Sequence, residues 1–131
     1  MKNPFRKIEN IALQQAVREY SQIESDIIPS SLWLGGLKID VVYDDTLVKI
    51  KQLIGEAKYS EQKIFLDPSV APLQTLEQSY IHELVHWILY MMGENELRSN
   101  ERIVDLFAHF LYQARVTARF HADMSSSQEE D

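Results

Sequence analysis

Thr75-Leu76-Glu77-Gln78-Ser79-Tyr80-Ile81-His82-Glu83-Leu84-Val85-His86-Trp87-Ile88-Leu89-Tyr90-Met91-Met92-Gly93 is the stretch on which the reading of this chain turns. Thr75 with Gln78 three residues on has the form of a capping box, in which the two side chains satisfy backbone N–H groups left open by the first helical turn. Apolar residues then recur at helical spacing, and Gly93 supplies a stop. One helix from Thr75 to Met92 is predicted. Tyr80, Ile81, Leu84, Val85, Trp87 and Ile88 are uncharged, so this helix is expected to be dry and rigid.

Upstream, Asn3-Pro4 reads as a helix start, with Pro where its missing N–H does no harm. Phe5, Ile8, Ala12, Ala16, Tyr20 and Ile23 extend an amphipathic helix to about Ser25, before the Ile28-Pro29 step. Ser30 to Gly36 reads as a loop with buried Leu32, Trp33 and Leu34. Leu37 to Tyr43 reads as a strand from its alternation and the Val41-Val42 pair. A short turn or helix is expected around Asp44 to Leu53. Ile54 to Pro68 reads as two short strands about a polar turn near Ser60-Glu61, with Pro68 as terminator. Downstream, a last helix is expected to start between Asn95 and Asn100 and to run through Phe120. Its apolar positions Ile103, Val104, Phe107, Phe110, Leu111 and Ala114 cover more than one face, so it is expected to be largely buried. The fold class expected is α+β: an N-terminal helix, a small sheet of about three strands, and two helices. Residues 1–121 form the single expected domain, and 122–131 a disordered acidic tail.

Composition narrows the chemistry. The chain has 131 residues, 13 Lys plus Arg against 20 Asp plus Glu, a formal net charge of −7 and no Cys. A single domain of that length has a radius of gyration of about 14 Å. The charge argues against nucleic acid or an anionic membrane as partner, since both select clustered positive charge. Without Cys there are no disulfides, thiolate zinc sites, iron–sulfur clusters or thiol catalysis. Any metal must be held by His and carboxylates. MKNPFRKIEN lacks the apolar run of a signal peptide, and no stretch approaches the ~18 apolar residues of a membrane span, so a cytoplasmic location is expected.

His82-Glu83-Leu84-Val85-His86 carries the chemistry. Positions four apart differ by only about 40° around a helix, so both imidazoles project from one face. Two nitrogens so placed can share a zinc ion at ~2.0–2.1 Å. Glu83, beside the open positions, can take a proton from a zinc-activated water and hand it to a leaving amine. A hydrolytic zinc normally has three protein ligands. Glu101 and Asp105 lie four apart on one helical face downstream. Glu94 and Glu96, closer in sequence, are the other acids available as third ligand. The bland alternative for Glu101 is a first-turn acid complementing the helix dipole.

The segment Asn100-Glu101-Arg102-Ile103-Val104-Asp105-Leu106-Phe107 resembles the N-E-x-x-x-D-x-F segment of glutamate zincins, the thermolysin-like metallopeptidases. The resemblance implies Glu101 as third zinc ligand and Asp105 as hydrogen-bond partner of the His82 ring. In size and order the chain is similar to small ImmA/IrrE-type HExxH proteins of phages and mobile elements, over about Leu37 to Tyr112. Trp87 departs from the small residue common after the second His there, and Asp105 stands where Asn is common. The implied activity is zinc-dependent peptide hydrolysis on a protein or peptide substrate, for example a repressor-type regulator. The rival is a zinc-stabilised interaction module without catalysis. An oxyanion-stabilising donor is also expected, with His109 and Tyr90 as candidates and Tyr112 and Tyr59 as further options. His121 is expected to be solvated. In zincins the strand before the metal helix lines the cleft, so Lys63-Ile64-Phe65-Leu66 is expected to offer its edge to an extended substrate.

Overall fold

A computed structural model describes residues 23–69 and 71–122. Their order is β1 (Ser31–Leu34), β2 (Leu37–Tyr43), α1 (Leu47–Lys51), β3 (Gly55–Lys58), a 3₁₀ turn (Tyr59–Glu61), β4 (Lys63–Leu66), α2 (Leu73–Met91), α3 (Asn95–Ser99) and α4 (Glu101–Thr117). The architecture is mixed α+β, with one four-stranded sheet and four α-helices among the described residues. The expected N-terminal helix lies outside them except for Ile23 to Ser25, which are not helical, and the acidic tail lies outside from residue 123 on. Among the described residues no helix is long and apolar enough to cross a membrane.

The sheet has four strands rather than three because Ser31–Leu34, expected as loop, is a strand. Gly35 and Gly36 both take positive φ, +54° and +85°, and let Leu34 pair with Leu37 in a tight hairpin. Alternation along β1 then sends Trp33 away from Leu32 and Leu34, leaving it 67% exposed instead of buried. Strand order is β1-β2-β4-β3; β2 and β4 run parallel, and the outer pairs are antiparallel. Lys63–Leu66 is therefore an inner strand with both edges paired, and Ile64 and Leu66 are fully buried. The free edge expected of it belongs to β3.

Helix α2 lies against this sheet through a core that includes Leu76, Tyr80, Val85 and Trp87. Its N-cap is Pro72, whose fixed φ of −65° with extended ψ starts the helix early. Thr75 is thus inside the first turn, and the expected capping box does not form. At the other end the stop is as expected: Gly93 takes φ +74°, its N–H bonds the Tyr90 carbonyl, and that of Glu94 bonds the Leu89 carbonyl.

The last helical stretch is two helices. The chain breaks at Asn100, whose Oδ1 accepts the Ile103 N–H at 3.2 Å and caps α4. Only Val104, Ala108 and Tyr112 of α4 are buried; Ile103, Phe107, Phe110 and Leu111 are exposed, contrary to expectation. The buried three repeat every fourth residue, the narrow stripe a helix presents to one neighbour, here α2. Tyr112 also donates to Glu77 of α2 at 2.9 Å, and Ser25 donates to the same carboxylate. α4 ends at Thr117, not Phe120.

Candidate metal centre

His82 and His86 stand four apart on α2, their rings 4.9 Å between centroids. Core packing around them keeps their side chains 20% and 12% exposed. Glu101 enters from the first turn of α4, directly after the Asn100 cap. Its Oε2 lies 3.1 Å from Nε2 of His82 and its Oε1 3.0 Å from Nε2 of His86. On the far side of the His82 ring, Nδ1 is 3.4 Å from Oδ1 of Asp105. The ligand atoms of His82, His86 and Glu101 all lie within 4.8 Å of one another.

These residues fit a zinc ion. Four tetrahedral ligands at ~2.0–2.2 Å from zinc lie about 3.4 Å from each other, within the spread seen here. Nε2 of His82 is within hydrogen-bond distance of Glu101 Oε2 at 3.1 Å; in the tautomer that protonates Nδ1, on the Asp105 side, Nε2 instead presents its lone pair to Glu101. A cation between them turns that repulsion into ligation. Burial lowers the affinity of His86 for a proton, although Glu101 opposes this, and favours the neutral, ligating imidazole. Two imidazoles, one carboxylate and no thiolate make a donor set suited to a catalytic ion.

Glu83 is buried beside the two histidines. Burial pushes its carboxyl up to about 7; the charge on His82 and a hydrogen bond from the Ala57 backbone N–H hold it back. Its seat depends on β3. A Cβ added to Gly55 would come 3.0 Å from Cγ of Glu83 and 3.2 Å from Cδ2 of Leu66, so a larger residue there would press on the Glu83 side chain. The cluster and Glu83 face an open cavity of about 420 Å³, whose walls include Gly55, Ala57 and Tyr59 on one side and Arg98 and Ser99 of α3 on another.

The other residues named from sequence are placed elsewhere. Glu94 is the N-cap of α3 and Glu96 lies in its first turn; both are exposed and outside the three-residue cluster. His109 is exposed on α4 beside Phe110 and does not line the cavity. Tyr90 also stays out of the lining, stacked on Tyr59 at 4.2 Å. Tyr112 is occupied with Glu77. Tyr59 does reach the cavity. Sequence reasoning passed over Gly55, Ala57 and Arg98. An isolated Gly in a strand pattern signals a close backbone approach, so Gly55 was detectable; nothing in the spacing of Arg98 marks it. No family model, no curated protein and no solved structure matches this chain.

Proposed function

We propose that the chain is a zinc-dependent metallopeptidase of glutamate-zincin type, acting in the cytoplasm on a protein or peptide substrate. The observation that carries this reading is the convergence of His82, His86 and Glu101 on one point beside buried Glu83. Zinc held by those three residues would supply a Lewis acid for the scissile carbonyl and lower the pKa of water. Glu83 takes the proton of the attacking water and passes it to the leaving amine. Asp105 fixes the orientation and tautomer of the His82 ring. The outer strand β3 offers main-chain groups to an extended peptide segment.

Elemental analysis beside a peptidase assay on a randomised peptide mixture tests this. Wild type should carry one zinc per chain and release new amino termini. Glu83→Gln should keep the zinc and lose ~10²–10⁴-fold in rate. A Glu83→Gln protein that cuts as well as wild type would overturn the catalytic role. Zinc near zero in wild type would overturn the metal centre itself.

A further inference from the structure

Arg98 is a cation on the wall of the cavity that His82, Glu83, His86 and Glu101 also line. It comes from α3, the short helix between the two that carry the cluster. Its guanidinium carbon lies 5.0 Å from the Tyr59 ring centroid and 5.6 Å from that of Tyr90. Those rings stack on each other, and Trp87 meets both edge-on at 5.0 and 5.6 Å. Trp87 is fully buried and donates its Nε1–H to the Lys63 carbonyl at 3.1 Å, which anchors the stack to β4. Nη2 of Arg98 donates to Asn95 at 3.3 Å. Its Nε is buried with no acceptor, and no ion pair joins it to a carboxylate among the described residues.

A guanidinium held over aromatic rings would be fully explained by cation–π packing if its donors were satisfied. They are not. A buried N–H without an acceptor is destabilising, and so is a guanidinium to which none of the carboxylates of the same cavity, Glu56, Glu83 and Glu101, is paired. Both are relieved when an anionic oxygen enters the cavity. Arginine suits that task because its donors form a rigid fork and its charge is permanent. The Tyr59 hydroxyl, on the same wall, interacts with Arg98 itself and helps to hold the guanidinium there.

We infer that Arg98 receives a negatively charged substrate oxygen beside the His82–His86–Glu101 cluster. The oxygen's identity rests on the peptidase reading; the anion subsite does not. Two sources share the chemistry: the oxygen that gains charge on the reacting carbonyl, which would make Arg98 a catalytic residue, and a carboxylate of the substrate, which would make it a specificity residue.

The test uses Arg98→Gln, which keeps most of the side-chain shape, and Arg98→Lys, which keeps the charge. Inorganic phosphate is titrated into chelated and zinc-loaded full-length protein, followed by calorimetry and by the ring protons of Tyr59. Thermal unfolding and zinc content are recorded on the same samples. Wild type should bind phosphate at least tenfold more tightly than Arg98→Gln in both metal states, with Arg98→Lys between them. Equal phosphate affinity in wild type and in both variants overturns the inference. A difference that persists in chelated protein when zinc fails to bind at all leaves the anion subsite standing and removes the peptidase reading. Peptide turnover then identifies the oxygen. A fall of ~10²-fold or more in kcat at unchanged KM, alike for peptides with free and amidated C-termini, assigns the reacting carbonyl. A rise in KM confined to peptides with a free carboxylate assigns that group.

Discussion

Helices α2 and α4 each contribute two residues four apart to the same centre, yet they hold them in opposite ways. The histidines of α2 sit on a helix with Leu76, Tyr80, Ile81, Val85 and Trp87 buried around them. Glu101 and Asp105 are 68% and 79% exposed on a helix that touches the core through a single stripe. The difference teaches that precision at this centre has two sources. Close packing fixes the helix that carries the imidazoles, since its buried side chains sit in a dense interior. A cap and a helix start fix the carboxylates, and they carry little of the stability.

The sharpest way to break the comparison is to remove one large aromatic from each helix. Trp87→Ala should destabilise by ~3–5 kcal/mol, the range for removing a buried large aromatic, and should drag zinc affinity down with it. Phe107→Ser on the exposed side of α4 should stay within ~0.5 kcal/mol and leave zinc alone. Urea denaturation of the pair decides whether α4 is the lightly held partner; similar losses would refute that.

Glu83 lets the packed side be titrated. In chelated protein its carboxyl is held well above the ordinary value of 4.5, at about 7, chiefly by burial. The folded state then binds more protons than the unfolded one between those values, so wild-type stability should fall as pH rises from 4.5 towards 7. Glu83→Gln has no such proton to lose. The gap in its favour should widen over that window by an amount on the order of 3 kcal/mol, read from urea midpoints in steps of pH. A gap that stays flat across the window would mean that Glu83 is solvated.

Two smaller effects probe the carboxylate side. Asp105→Asn removes the charge behind the His82 ring and should weaken zinc ~10–100-fold in a competition titration, with the fold unchanged. Asn100→Ala removes the cap that starts α4 at Glu101 and should destabilise by ~1 kcal/mol. If the cap positions the ligand, Asn100→Ala should also weaken zinc, whereas Phe107→Ser should not.

Much of this arrangement was legible in the chain. His82-Glu83-Leu84-Val85-His86 declares its face through helical period alone, and Asn100 before Glu101 is a recognisable helix start. Gly93 announces its stop for the same local reason. What was illegible depends on neighbours. Ser31–Leu34 is too short for alternation to separate strand from loop, and with it goes the side on which Trp33 lies. The apolar residues of α4 outnumber the contacts one neighbouring helix can offer, and no periodicity says which of them remain outside. Sheet order is non-local: nothing in Lys63–Leu66 states that β2 would pair along its other edge. Arg98 reaches the cavity only because a five-residue helix folds back between α2 and α4.

That short connection has a thermodynamic consequence. Trp87 through Asn100, 14 residues, are all that separate His86 from Glu101, and α3 takes up part of them. Closing a loop this small removes little chain entropy, and the fold has removed it already through helix pairing. The proposed zinc would therefore have almost no folding to drive, unlike the ion of small domains that order only around it. The free energy of ligation would be left for affinity itself, and the chelated chain should retain its helical circular dichroism.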